Sequence, residues 1–184
     1  ADAYLAATKH AGAELALVNP GGLRADLPGG DVTYGDAFAA NPFGNALVMM
    51  TLTGEQLLEA LEQQWQPNKQ RILGASEGLT YAWHEPQGAG PRVVPGSVLL
   101  NGEPLDPKRS YRVTVNNFLA ATGGDGFSAF TRGAEPDGGP QDLDALVGYL
   151  RANSPLPRPR LDRIRRLPDT RAANGAGVSA PPAR

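Results

Sequence analysis

The stretch around which this chain is organised reads Asn116-Asn117-Phe118-Leu119-Ala120-Ala121-Thr122-Gly123-Gly124-Asp125-Gly126-Phe127. It follows a strand-like run that begins at Tyr111. Glycines at this density let the backbone adopt positive φ and approach a ligand closely. The ring of Phe118 offers a flat apolar face, and the side chains of Asn117 and Asp125 offer directed hydrogen bonds. The stretch therefore predicts a wall for a flat polar ligand, although a simple Gly-rich turn with both rings in the core fits the spacing equally.

The totals indicate one ordinary globular domain. The chain has 184 residues, of which 41% are hydrophobic and 20% charged, which is enough for a sizeable core. A formal net charge of −2 gives no electrostatic case for nucleic-acid binding. The absence of cysteine excludes disulfides and thiolate metal sites. No apolar run approaches the roughly 18–20 residues of a membrane span. Ala1 is followed directly by a helix-like segment without a signal peptide, which suggests a fragment or a processed chain.

The pattern of apolar residues predicts short helices and strands, joined by turns rich in Gly and Pro. A capping box formed by Thr53 and Gln56 starts the clearest helix, which we expect to run from Glu55 to about Gln64. A second helix is expected from about residue 141 to 151, and residues 128–140 read as a Gly/Pro-rich loop. Strands are expected at 15–18, 46–52, 79–83 and 111–115, with a hairpin turn at 101–102. Together these predict an α+β fold, a mixed β-sheet core with packed helices.

Three loops at strand ends carry the candidate binding groups: residues 19–24, 41–45 and 116–127. Arg24 supplies a bidentate fork suited to phosphate or carboxylate, although a lone arginine is usually a solvated surface group. The two histidines, His10 and His84, lack metal-ligand spacing, and neither a nucleophile elbow nor a Walker loop is present. The residues therefore predict recognition without a catalyst.

Four motifs in order give a family resemblance: Asn19-Pro20-Gly21-Gly22-Leu23-Arg24, Pro42-Phe43-Gly44-Asn45, Leu52-Thr53-Gly54, and the stretch from Asn117 to Phe127. Together they resemble the C-terminal domain of the 5′-nucleotidase family, which includes UDP-sugar hydrolases and 2′,3′-cyclic-nucleotide phosphodiesterases. The resemblance covers about residues 1–167. It implies that residues 1–12 end an inter-domain helix and that residues 13–167 form the domain. Residues 168–184, rich in Ala, Gly, Pro and Arg, are then expected to be a disordered tail.

The resemblance also implies a division of labour within a longer parent chain. An N-terminal metallophosphoesterase domain would hold two divalent metal ions and the catalytic residues, so that this chain would contain no catalytic residue, metal or cofactor of its own. The present domain would bind a nucleotide or nucleoside and select the substrate. A periplasmic or extracellular role in nucleotide catabolism is implied. A non-catalytic binding or interaction module, which kept the fold with a degraded nucleotide pocket, is the alternative.

Roles for individual residues follow from the resemblance. Arg24 would contact phosphate, Phe118 would stack on the base and Asp125 would bind the ribose hydroxyls. The remaining assignments are Asn117, Gly123 and Gly124 to the substrate-binding loop, and Asn19, Gly21, Gly22, Phe43 and Asn45 to shaping the loops. Many family members place a second aromatic ring in the segment that here reads Arg71 to Gly74, so Ile72, or else Leu73, is expected to face the base instead. A further arginine that some members carry before Gly54 is missing from the sequence.

Overall fold

The computed structural model describes residues 1–85 and 90–168. The tail expected at 168–184 thus lies, apart from residue 168, outside the described residues. The α-helices are α1 (Asp2–Thr8), α2 (Tyr34–Ala40), α3 (Gly54–Glu62), α4 (Asn117–Thr122) and α5 (Asp142–Asn153). Single turns of 3-10 helix occur at Lys9–Ala11, Pro20–Gly22, Gly124–Gly126 and Ser128–Arg132. None of the helices in these two ranges has the length and apolar character of a membrane span.

The strands form a mixed sheet and two smaller ones. They are β1 (Leu15–Val18), β2 (Ala46–Thr53), β3 (Trp65–Gln66), β4 (Lys69–Gln70), β5 (Gly74–Ala75), β6 (Leu79–Trp83), β7 (Leu99–Leu100), β8 (Glu103–Pro104), β9 (Ser110–Asn116), β10 (Ala134–Gln141) and β11 (Ile164–Arg166). The main sheet has the order β10-β2-β9-β1-β5, in which only β1 and β9 are parallel. A second sheet has the order β11-β6-β7-β8, and β3 pairs with β4. The expected α+β class is confirmed.

The interior strand β1 separates two layers of core, because its side chains alternate between the faces of the sheet. Leu15 and Leu17 belong to the larger cluster, which also contains the buried face of α3. Ala16 and Val18 belong to a smaller cluster with Tyr4 of α1 and Ala145 of α5. All four residues of β1 are buried, as expected for a strand covered on both faces.

The predicted start of α3 is confirmed atom by atom. The Thr53 hydroxyl accepts from the Gln56 N–H at 3.2 Å, and the Gln56 side chain accepts from the Thr53 N–H at 2.8 Å. The first helical residue, Gly54, packs against another loop so closely that a Cβ there would lie 2.1 Å from the Asp106 carbonyl oxygen. The helix ends at Glu62, two residues before its expected end.

The prediction of a loop for residues 128–140 is wrong. Residues Ser128–Arg132 form a 3-10 turn, and Ala134–Gln141 form β10, which pairs antiparallel with β2. A strand rich in Pro and Gly is possible here because β10 is at the sheet edge, where only one side needs hydrogen bonds. Its register shifts twice, between Ala134 and Asp137 and again before Gln141, which removes the pairing where the sequence cannot sustain it.

Candidate functional site

Strand direction brings four segments to one edge of the main sheet. The parallel strands β1 and β9 both end there. Strand β2 starts at the same edge, since Leu47 pairs with Asn116, the last residue of β9. Strand β5 starts there as well, since Gly74 pairs with Val18 at the end of β1. The carboxyl edge of parallel strands is where α/β sheets generally bind ligands, and the loops leaving this edge are those that the sequence singled out.

These segments surround a cavity of about 430 Å³, within the usual range for small-molecule sites. Eight of the twelve residues proposed from the sequence line it. The full lining consists of Asn19, Pro20, Gly21, Gly22, Arg24, Phe43, Asn45, Arg71, Asn116, Phe118 and Asp125. The four proposed residues outside this lining are Asn117, Ile72, Gly123 and Gly124.

Two phenylalanine rings on the cavity wall are open to solvent. Phe43 is 54% exposed and Phe118 is 42% exposed, whereas Phe127 and Phe130 are buried in the core. Exposed aromatic rings that line a concave site are available for stacking. The Arg24 guanidinium lies over the Phe43 ring, with its Cζ 5.8 Å from the ring centroid, in cation–π geometry.

Asp125 lies in the cavity with an oriented carboxylate. One oxygen, Oδ2, accepts from the Asn19 amide at 3.1 Å, and the other, Oδ1, pairs with the Arg71 guanidinium. The Asn19 amide oxygen in turn accepts from the Asn116 side chain at 2.9 Å. Asn116 caps α4 by accepting the Leu119 N–H at 3.1 Å. The side-chain amides of Asn19 and Asn116 each donate one of these hydrogen bonds and accept another. The orientation of both amides and of the Asp125 carboxylate is therefore fixed.

Two of the residues outside the cavity lining have a neighbour that lines it instead. Asn117 is exposed on the first turn of α4, and the buried Asn116 faces the cavity in its place. Ile72 is half-buried, and Arg71 faces the cavity instead. A second exposed aromatic ring, Phe43, does line the cavity, but it lies on a different segment from residue 72.

The two glycines outside the lining shape the loop under Phe118. Gly123 ends α4 in the left-handed region with φ 60°, where a side chain would be strained. A Cβ on Gly124 would lie 2.3 to 2.5 Å from three atoms of the Phe118 ring. The ring can occupy this position because Gly124 has no side chain.

Three glutamines just after α3 form hydrogen bonds to segments of the site, and none of them is among the residues predicted from the sequence. Gln66 donates to the Asp125 backbone carbonyl. Gln63 donates to the Ser128 hydroxyl at 2.9 Å and accepts from the Ala129 N–H at 3.1 Å. The sequence feature that could have identified them is the occurrence of three glutamines within residues 63–66, where the helix pattern stops.

The middle glutamine, Gln64, is completely buried and supports the Arg71 segment. Its side-chain oxygen accepts from the Leu73 N–H at 2.7 Å and from the Tyr81 hydroxyl at 2.9 Å. Its backbone carbonyl accepts from the Arg71 N–H at 2.8 Å. Its side-chain nitrogen donates to the Leu61 carbonyl at 2.7 Å. A buried side chain with these three hydrogen bonds fixes the backbone around it.

A second buried contact joins the cavity to α1. Asn45 donates to the Asp142 carboxylate at 3.3 Å, and the Asp142 N–H donates to the Asn45 carbonyl at 2.8 Å. The Tyr4 hydroxyl donates to the same carboxylate oxygen at 3.5 Å. Burial, together with the charge of Asp142, raises the pKa of Tyr4 well above its usual value, so the tyrosine stays a neutral donor.

The site offers stacking faces, two arginines, a carboxylate and amides, all of which are binding groups. Within residues 1–85 and 90–168, His, Asp and Glu side chains nowhere gather in a group of three that could hold a metal ion. The fold and the cavity together define an α+β domain with a cavity of small-molecule size at one edge of its main sheet. The chain belongs to the family described as 5′-nucleotidase, C-terminal domain, whose family model matches residues 1–132.

The chain is similar to segments of much longer proteins. It is 41% identical over 138 residues to the trifunctional nucleotide phosphoesterase protein YfkN of Bacillus subtilis, a match that covers 71% of this chain and 9% of that protein. It is 34% identical over 158 residues to the cell wall protein Lmo0130 of Listeria monocytogenes, covering 82% and 20%. Against the structure of the 5′-nucleotidase precursor of Thermus thermophilus, the TM-score is 0.76 at 37% identity, covering 91% and 34%. This chain thus spans about a third or less of the length of these relatives.

Proposed function

We propose that this chain is the substrate-recognition domain of a nucleotide-hydrolysing metallophosphoesterase and that its cavity binds the base, ribose and phosphate of a nucleotide. The observation that carries the proposal is the pair of exposed rings, Phe43 and Phe118, on the wall of one cavity that also holds Asp125 and Arg24. A flat apolar group with a polar, anionic extension matches this combination. Membership of the 5′-nucleotidase family supports the same ligand class.

Each group has a proposed partner on the ligand. The base stacks on Phe118, with Phe43 as the second ring. The ribose hydroxyls donate to the Asp125 carboxylate, which Asn19 and Arg71 hold in place. Arg24 contacts phosphate: no carboxylate lies within 4 Å of its guanidinium in the described part of the chain, so its charge is available.

Hydrolysis is assigned to another part of the parent protein. An N-terminal metallophosphoesterase domain with two divalent metal ions would cleave the bond, as the family resemblance implies. We place the parent protein outside the cytoplasm, in the periplasm or at the cell surface, a location supported by the relative that is named a cell wall protein. Fractionation of the producing cells tests this placement, and recovery only in the cytosol contradicts it.

Calorimetric titration of the purified chain with adenosine and 5′-AMP tests the ligand class. Stacking on an aromatic ring contributes about 1–3 kcal/mol per base, so Phe118→Ala or Phe43→Ala should each weaken binding about 5- to 150-fold. Phe38→Ala is the matched control, because Phe38 is 50% exposed but does not line the cavity. Equal affinity in all three variants would refute the site.

The degraded-pocket alternative rested on two apparent losses, a second ring and a second arginine. Phe43 and Arg71 supply these groups in the cavity, which favours a working pocket. A thermal-shift series with nucleosides, nucleotides and UDP-sugars separates the two proposals, since ligand binding raises the melting temperature with concentration. No shift at millimolar ligand would support the alternative. The purified chain should not hydrolyse AMP with or without divalent metal, and robust turnover would overturn the assignment of catalysis to another domain.

A further inference from the structure

Arg71 is held rigidly at the cavity wall beside Asp125. It lies between β4 and β5, where its N–H donates to the Gln64 carbonyl at 2.8 Å and the nearby Leu73 N–H is bound by the same glutamine's side chain. Its side chain is 26% exposed and that of Asp125 is 15% exposed. Both side chains line the cavity, so the ion pair is accessible to a ligand.

The ion pair between Arg71 and Asp125 leaves hydrogen-bond positions free on both side chains. A carboxylate has about four acceptor positions. Asn19 and Arg71 each occupy one on Asp125, which leaves about two. A guanidinium has five N–H donors, and among the described residues the Arg71 guanidinium is paired with Asp125 alone.

A vicinal diol has the matching pattern, because each hydroxyl both donates and accepts. Its two O–H groups can donate to the remaining positions on Asp125, while an Arg71 N–H donates to a hydroxyl oxygen. We propose that Arg71 is a sugar-specificity residue which, together with Asp125, selects a cis-diol sugar such as ribose over deoxygenated sugars. This inference rests on the proposed nucleotide-binding function.

The alternative role for Arg71 is purely structural, as a partner that holds the 124–126 turn. Three other features already fix that turn: Gln66 binds the Asp125 carbonyl, Asn19 binds its carboxylate, and Gly123 sets the chain direction. An arginine present only for support need not line the cavity. A sugar-selective role predicts a loss that depends on the hydroxyl groups of the ligand, whereas a structural role predicts an equal loss for all ligands.

The test is a comparison of adenosine with 2′,3′-dideoxyadenosine, by ligand-detected NMR and calorimetry, on the folded chain. The wild type should prefer adenosine by about tenfold or more, since charge-assisted hydrogen bonds to both hydroxyls are lost with the dideoxy sugar. Arg71→Gln should reduce this preference about fivefold or more and leave dideoxyadenosine affinity within about twofold. Arg132→Gln is the control, since Arg132 pairs with Glu59 away from the cavity.

An unchanged preference in Arg71→Gln overturns the inference, as does an equal loss for both ligands. If Arg71→Gln fails to melt cooperatively, Arg71→Lys takes its place. It keeps the charge but not the planar fork, and it should lower the preference to a smaller extent. The proposed function fails separately: adenosine then does not bind the wild type, or dideoxyadenosine binding is insensitive to Phe118→Ala, and the inference falls with it.

Discussion

Gly124→Ala should displace the Phe118 ring while leaving the fold almost intact. The added methyl group would lie 2.3 to 2.5 Å from three ring atoms, whereas carbon atoms at optimal contact are about 3.5–4.0 Å apart. The ring must therefore move by about 1 Å or more. It can do so cheaply, because Phe118 is an exposed side chain and the φ of Gly124 is not in the positive range.

The expected loss of nucleoside affinity follows from the stacking of the Phe118 ring on the base in the proposed complex. If displacement abolishes stacking, the loss is about 1–3 kcal/mol, which lowers nucleoside affinity by about 5- to 150-fold. The free energy of unfolding should change by less than about 1 kcal/mol, since the displaced ring leaves no buried cavity. Calorimetric titration with adenosine measures the first quantity, and urea denaturation measures the second.

Two further variants test whether Gly124 affects binding through the Phe118 ring. Gly29→Ala is the matched control, because a Cβ at Gly29 meets nothing within 4 Å, and it should bind like the wild type. Combining Gly124→Ala with Phe118→Ala should cost no more affinity than Phe118→Ala alone, because the glycine acts only through the ring. Full additivity in the double variant, or wild-type affinity in Gly124→Ala, refutes the role given to the ring.

Three further predictions concern stability. Gly54→Ala should destabilise the domain by about 1–3 kcal/mol or more, since its methyl group would overlap a backbone carbonyl; a change below 0.5 kcal/mol in urea, on the order of a neutral surface substitution, contradicts the packing. Gln64→Leu should cost about 2–4 kcal/mol because it leaves two buried donors without an acceptor, and Tyr81→Phe, which removes one of those donors, should cost less. Burial opposes ionisation of Asp2, but hydrogen bonds from Arg163 and the Glu77 N–H outweigh it and lower the pKa of Asp2. Asp2 therefore adds stability above about pH 4 that is lost as the pH falls through its folded pKa, and Arg163→Gln should reduce this acid sensitivity in a pH series of melting curves.

Much of the fold could be predicted because local rules were strong where tertiary contacts agreed with them. The Thr53 capping box and the apolar stripe after it fixed the start of α3, and the run Leu15–Val18 identified the buried strand β1. Strand β10 could not be predicted, because its sequence is that of a loop and only pairing with β2 makes it a strand. That pairing joins Ala134 to Thr51 and Gln141 to Ala46, which are far apart in sequence, and no local pattern contains it.

The candidate site, like the fold, could be predicted from the sequence only in part. The motifs identified loops that meet at one cavity, and most of the residues predicted from them line it. Two of the residues predicted from the sequence lie outside the lining beside a residue that is part of it: Asn117 beside Asn116, and Ile72 beside Arg71. A one-residue shift reverses the direction of a side chain in extended structure, and the exact strand end or turn that sets this direction is least visible in sequence.

Order in the glycine-rich loop depends on side chains remote in sequence. Three glycines within 123–126 raise the entropic cost of fixing that loop. Gln66 binds it from just after α3, Asn19 binds it from the end of β1, and Gln63 binds Ser128 in the turn that follows. These contacts form as the domain folds, so the cost of ordering the carboxylate is met before a ligand arrives, and preorganisation of this kind increases affinity. It follows that Gln66→Ala should weaken nucleoside binding by increasing the freedom of Asp125, although Gln66 does not line the cavity.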